Sequence, residues 1–391
     1  MVLTLGCGST NGDGSPSAMA SSSGVPRGAG AVLEAAENER APARSSTAMA
    51  AADPMIVIPA GAFVAGSTPG DPGRDPTLEA TLLDRELGAF DIDRFLYPNQ
   101  IGEPPLALVT REKAQALCKT RSRRLCTELE WERACKGPDN QPYAGNEAWD
   151  PACGKDPPPC ASGFGVVGMG ALREWTASDL AVDPEAGARA VVRGGASDAA
   201  ATDHRCARRS AVSPEAASCD LGFRCCGGAA NEATLPSPAE KPAFGPADLP
   251  AAELARIFAG VSQLAKLGSD LKYYETEAAQ ALVVQRSDGG ITKGYELVTT
   301  PLAWSPVKGE ALVVVAGLAG EDSFIVALYA LPAGRYRVAS SLILRKDSGP
   351  IVIAYDRSVA GRLEWSTCWQ CRGESGRITY RDDRRVVITQ E

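Results

Sequence analysis

Twelve cysteines and a single histidine constrain this 391-residue chain more than any other feature, because nine of those cysteines crowd between Cys118 and Cys226. A reducing cytosol rarely tolerates that density without metal. Metal knuckles would need paired C-x-x-C units in this region and more histidine, and neither is present. Disulfides in an exported protein are therefore expected. The lone His204 also excludes a His-ligated catalytic zinc and a His-based triad, and it reads as a surface or structural residue.

The N-terminus points the same way. Val2-Leu3-Thr4-Leu5-Gly6-Cys7-Gly8-Ser9 is a short apolar run ending in Gly-Cys, like the tail of a truncated lipoprotein signal, with Cys7 the expected lipidation site. The Gly/Ser/Ala/Pro-rich stretch that follows cannot bury enough apolar surface to fold, so residues 1–54 read as signal and tether. A net charge of −8 without a Lys/Arg run argues against nucleic acid as partner. No apolar window reaches the ~20 residues of a membrane span, so membrane contact is expected only through a lipid anchor.

Length and punctuation divide the remainder into two domains, 55–228 and 247–391, joined by a linker at 229–246 rich in proline. In the first, Met55-Ile56-Val57-Ile58 and Phe90-Asp91-Ile92-Asp93 read as strands, the second leading into a turn at Tyr97-Pro98-Asn99-Gln100. Thr110 opens a helix that carries Ala114, Leu117 and Cys118 on one face. Thr127 and Glu130 form an S/T-x-x-E capping box for a second helix. Trp131 and Trp175 read as core aromatics, and glycine density beyond Val191 indicates irregular backbone.

In the second domain, Asp248 reads as an N-cap with Pro250 in the first turn and Gly268 as the stop. Leu254, Ile257, Phe258, Val261 and Leu264 give that helix one apolar face for covering a sheet. Short apolar or alternating runs follow at 281–284, 296–299, 311–315, 324–331, 336–344, 350–355, 376–380 and 385–389. Pro332-Ala333-Gly334 and Asp347-Ser348-Gly349 punctuate them, which suits an antiparallel sandwich or barrel. Cys368-Trp369-Gln370-Cys371 lies between apparent strands and reads as a local disulfide staple.

Five segments of the first domain occur together in a telling order: Arg124-Leu125-Cys126-Thr127-Glu128-Leu129-Glu130-Trp131-Glu132-Arg133, Arg173-Glu174-Trp175-Thr176, Val192-Arg193-Gly194-Gly195, Arg205-Cys206-Ala207-Arg208-Arg209 and Leu221-Gly222-Phe223-Arg224-Cys225. With them, residues ~55–227 resemble the formylglycine-generating enzyme (sulfatase-modifying factor) family. The resemblance implies a mixed fold related to C-type lectins, and disulfides Cys118–Cys225 and Cys135–Cys206. Loops of that length would stabilise the fold by about 4 kcal/mol each on the chain-entropy argument. Cys126 replaces the family's proline, and with Cys153, Cys160, Cys219 and Cys226 it forms an odd pool whose pairing stays open.

Oxidising members of that family hold Cu(I) between two cysteines that lie between the Arg-Gly-Gly segment and the Arg-Cys-Ala segment. Here that stretch, 196–205, is shorter and has no cysteine, so the resemblance implies a lost reactive centre and no catalytic residue. Relatives with a three-histidine iron site are excluded by the single histidine. The family's calcium-binding asparagine is replaced by Ala171, beside a repelling Arg173, which leaves a cation site near Asn146 and Asp150 as the weaker expectation. Arg193, Arg205, Arg208, Arg209 and Arg224 read first as ion-pair partners, and second as a basic cleft for an anionic ligand.

The expectation is thus an α+β chain. A formylglycine-generating-enzyme-like domain rich in irregular structure precedes a mainly antiparallel β domain covered by one helix. The expected function is a non-catalytic binding or scaffold module at the bacterial cell envelope, without a required cofactor, for an envelope protein or anionic ligand. The competing expectation is an oxidase of the sulfatase-modifying type, with copper at a displaced site drawn from Cys126, Cys219 or Cys226. A third is that the β domain carries the function.

Overall fold

A computed structural model describes residues 54–155, 160–180, 189–236, 244–274, 295–298, 300–345, 350–356, 359, 361–367 and 374–391. Expectations for Cys7, the tether, the 281–284 strand, the turn at Asp347 and the pair Cys368 and Cys371 lie outside them. The architecture is mixed α+β, with three α-helices among the described residues. None of these helices is long and apolar enough to cross a membrane.

The first part builds two four-stranded sheets and a two-stranded one, Gly61–Ala65 with Leu83–Leu87, around a buried helix. One four-stranded sheet runs Met55–Ile58, Phe90–Asp93, Cys225–Gly227 and Arg124–Leu125, all antiparallel. The other runs Arg209–Val212, Arg189–Arg193, Arg173–Leu180 and Leu221–Phe223, the last pair parallel. Helix α1, Arg111–Thr120, starts where the Thr110 hydroxyl accepts the Lys113 amide proton, and it buries Ala114 and Cys118.

Helix α2, Glu128–Lys136, has the full capping box: Thr127 accepts from the Glu130 amide, and the Glu130 carboxylate accepts from the Thr127 amide. It is buried along its whole length, charged residues included. Buried charge persists only when paired, so this helix must be surrounded by counter-charges. Trp131 and Trp175 are core residues, as their sequence context indicates.

The second part packs a six-stranded sheet against a five-stranded one, both antiparallel. Trp304, Ile325, Leu363, Trp365 and Ile378 fill the space between them. Helix α3, Ala251–Ala259, covers the outer face of the larger sheet through Leu254 and Phe258 on Phe324 and Val326. It is shorter than its apolar pattern suggests. Pro250, not Asp248, occupies the N-cap and no side chain caps it, while Gly260 ends the helix. Glycine propagates a helix poorly, so the chain turns there, and Leu264 reaches the core just before a separate 3-10 turn, Ala265–Leu267, closed by Gly268.

The described ends of the expected linker, 229–236 and 244–246, both pack on their neighbours. Phe244–Pro246 is an edge strand on Leu302–Trp304, held because Phe244 packs on Tyr355 with ring centroids 4.4 Å apart. At its other end Asn231 donates to Glu130 and Leu235 packs on the first core. Asp53–Glu391 accordingly forms one compact unit. Arg74 donates to Glu310 at 3.0 Å with both side chains buried, which ties the two parts together. Arg337–Asp71 and Arg384–Asp75 add two more exposed ties.

Candidate functional site

The site is built outward from α2. Its Glu128 meets Arg193 at 2.8 Å and Arg209 at 2.7 Å, and Glu132 meets Arg193 at 3.0 Å and Lys136 at 2.9 Å. Burial opposes ionisation of Glu132, yet Lys136 and Arg193 outweigh it and hold the carboxyl below its usual range. Arg224 pairs with Glu174 at 2.6 Å, Arg205 with Glu79 at 2.6 Å, and the half-exposed Arg208 with Asp203 at 3.1 Å. All five arginines singled out from sequence therefore have carboxylate partners, and they brace the fold from within. Of the five, Arg205 also lines the cleft described next.

Disulfides fix the frame of these charges. Cys118 is bonded to Cys225 and Cys135 to Cys206, each tying a helix to the C-terminal segments. The open pool resolves as Cys126–Cys226 and Cys153–Cys160, leaving Cys219 free and exposed. Cys126 directly follows the Arg124–Leu125 strand and Cys226 lies on the antiparallel strand beside it, with Cα atoms 4.9 Å apart, close enough for the bond.

Above the buried network lies a cleft of about 630 Å³. Its walls are the Gly66–Pro72 loop, Lys136 and Asn140 beyond α2, the Tyr143–Trp149 segment, and Ala201, Arg205 and Ala207. Trp149 is sandwiched onto His204, with ring centroids 3.6 Å apart and planes 2° from parallel. Tyr143 stands beside the indole at 6.4 Å and a 43° tilt. Two glycines make this stack possible. A Cβ at Gly170 would sit 2.6 Å from the Trp149 ring, and one at Gly195 would sit 3.0 Å from His204 Nδ1.

His204 is thus not a surface residue but is buried, and burial pulls its pKa below the ordinary value. Its Nδ1 has no partner among the described residues. Trp149, Tyr143, Asp71 and Glu79 were not found from sequence. No motif marks them, since loop residues far apart in the chain build the cleft.

A second cleft, about 540 Å³, is lined by Ile101, Pro104, Pro105, Lys155, Leu172, Ser197 and Cys219 among others. It is the more apolar of the two in its named lining. Near it Asp150, Cys153 and Cys160 lie together, but both thiols are in a disulfide and the Asp150 carboxylate accepts from the Ala152 amide.

Residues 153–228, which contribute to both clefts, match the family model of the sulfatase-modifying factor enzyme 1-like domain. The chain carries a domain of that family. Curated proteins give no match to the chain. Solved structures that resemble it include Treponema denticola variable protein 1, at 18% identity over 44% of this chain and 94% of that one with a TM-score of 0.36. Others are PvdO from Pseudomonas aeruginosa, at 19% identity over 44% and 93% with 0.36, and CarF, at 18% over 44% and 97% with 0.34. These values carry no statement about activity.

Within the sulfatase-modifying-factor-like domain, the 196–205 stretch separates the two clefts: Ser197 lines one, Ala201 and Arg205 the other. A Cu(I) centre of two thiolates does not fit there. The stretch contains no cysteine, Cys126 and Cys226 are bonded to each other, and Cys219 is the only free thiol among the described residues.

Proposed function

We propose that this protein is a non-catalytic binding module of the sulfatase-modifying-factor type, exported to the bacterial cell envelope and stabilised by disulfides. The observation that carries the reading is the Cys126–Cys226 bond, which removes from thiolate chemistry two of the three cysteines that could have served a displaced site. What the scaffold presents is a preformed cleft of about 630 Å³ with mixed polar and apolar walls, within the size range of small-ligand sites. The density of bonded cysteines supports an oxidising compartment.

The test is a thiol and disulfide map of the folded protein by alkylation and non-reducing peptide mass spectrometry, with and without Cu(I). It is run beside an assay for aldehyde formation on a cysteine-containing peptide. The expected result is one alkylated thiol at Cys219 in the 118–226 region, unchanged by Cu(I), and no aldehyde. Two thiols protected together by Cu(I), with aldehyde formed, would establish the oxidase instead. Cell fractionation checks the envelope location: protein found only in the cytosol defeats that part.

A further inference from the structure

We infer that the cleft walled by Tyr143, Trp149 and Arg205 is a saccharide-binding site, with the Trp149 indole as the platform for a sugar ring. The inference rests on the binding-module reading and names the ligand class for it. Four observations converge on that class.

Trp149 is held from behind. His204 covers one face of the indole in a parallel stack at 3.6 Å, and what stays accessible of the ring lines the cleft. A ring fixed in this way presents flat apolar area at little entropic cost. Glycines at 170 and 195 keep the space that the stack needs, so the arrangement is built into the backbone.

The charges in the walls are already compensated. Arg205 is matched by Glu79 at 2.6 Å, Lys136 by Glu132 at 2.9 Å and Asp71 by Arg337 at 3.1 Å. Lys136 also donates to the Gly66 carbonyl at 2.7 Å, and Arg205 to the Gly73 carbonyl at 2.7 Å. An anionic ligand would find no uncommitted cation here, and the exposed Glu147 would oppose it. A strongly cationic ligand would meet Arg205 and Lys136 at the same wall.

Uncommitted hydrogen-bonding groups nevertheless surround the ring. Among the described residues, nothing partners the Tyr143 hydroxyl or the Trp149 indole N–H, and Asn140 uses only its Oδ1, accepting from the Val64 amide at 3.2 Å. Its amide NH₂ remains, and Glu147 offers acceptors at the rim. Donors and acceptors mixed around one fixed aromatic face suit a neutral, hydroxyl-rich ligand with an apolar face. A pyranose has that shape: C–H groups on one face to lie on the indole, and hydroxyls at the edge for Tyr143, Asn140 and Glu147. Finally, burial keeps His204 neutral at neutral pH, so no charge behind the indole disturbs that contact.

The experiment applies the full-length protein, with Trp149→Ala, Trp149→Phe and Ile101→Ser, to an array of neutral and acidic oligosaccharides. Each hit is then titrated by calorimetry. Binding is expected to a neutral oligosaccharide, weakened at least about tenfold in Trp149→Ala, partly kept in Trp149→Phe, and unchanged in Ile101→Ser, which alters the other cleft. Equal thermal unfolding of the variants separates loss of contact from loss of fold. An array without signal, or signal that survives Trp149→Ala, overturns the inference. A parallel fluorescence titration with tetramethylammonium chloride probes the rival class. A Trp149-dependent response there, with a blank array, replaces saccharide by cation and leaves the binding-module reading standing. That reading fails separately, through Cu(I)-protected thiols.

Discussion

Glu132 and Glu310 are both buried carboxylates, yet their acidities are displaced in opposite directions. Glu132, on α2, is the more deeply buried, and its carboxyl is held below the usual range. Glu310, at the junction with the β part, is pushed above it by burial that Arg74 and the Tyr380 hydroxyl only partly offset. Burial depth would predict the reverse order. What differs is the number of cations: Lys136 and Arg193 both face Glu132, whereas Arg74 alone faces Glu310. Unpartnered atoms do not separate the two: Glu310 Oε1 and Arg74 Nε lack hydrogen-bond partners among the described residues, and so do Glu132 Oε2 and Arg193 Nε. A charge is stabilised inside a protein by the count and geometry of its partners, and the α2 network has more of them than the junction does.

The comparison breaks first at α2. Glu132→Ala leaves Arg193 and Lys136 buried with a deficit of negative charge, so it is expected to cost about 3–5 kcal/mol, read by urea unfolding at pH 7. A loss under 1 kcal/mol would mean that the network relaxes and that partner number is not what stabilises it. Arg74→Ala is expected to cost less, about 1–3 kcal/mol, because its orphaned partner can take up a proton. The loss should shrink as pH falls and Glu310 becomes neutral.

The pH dependence sharpens the contrast, because the two groups have opposite signs. Glu310 has a raised folded pKa, so its protonation stabilises the fold below the usual glutamate value. That contribution fades as pH rises through the raised value. Glu132 has a lowered folded pKa, so its contribution is present above the usual value and is lost as pH falls through the lowered one. Measured from neutral pH down to below the usual glutamate value, the stability of the wild type should rise relative to Glu310→Gln and, at the acid end, fall relative to Glu132→Gln. Parallel curves for the two variants would refute the assignment.

The same distinction between local and distant causes governs what the sequence revealed. The capping box of Thr127 and Glu130 was legible because both members lie within one helical turn. The strands at Asp322–Leu331 and Arg335–Leu344 were legible because their turn residues and apolar runs are contiguous. Partners were not. Arg193 finds Glu128 across 65 residues of sequence, and a list of charges cannot say which arginine meets which glutamate. Cys126 and Cys226 could be assigned only once their two strands were seen side by side, 100 residues apart in the chain. Trp149 and His204 meet because two irregular loops pass Gly170 and Gly195, a contact without periodicity or motif to announce it. Helix α3 shows the converse error, since its apolar spacing continues past the glycine at which the backbone turns.

The smallest expected effect falls where the two regions touch the cleft. Arg337 reaches from the β part to Asp71 at 3.1 Å, and Asp71 lies in the cleft wall. Both side chains are partly exposed, so solvent and salt screen the pair. Arg337→Ala should change stability by less than about 1 kcal/mol. Its effect should instead be electrostatic and local. Asp71 loses its ion-pair partner and keeps only its longer-range attraction to Arg205, so the cleft becomes more acidic. Whatever weak tetramethylammonium response the wild type gives, the variant should give a larger one, with the gain declining as salt is raised. Unchanged binding at low salt would mean that Asp71 is neutralised by something other than Arg337, and that the β part contributes only anchorage to this wall. A destabilisation as large as that of Arg74→Ala would mean that the junction rests on its exposed ties as much as on its buried one.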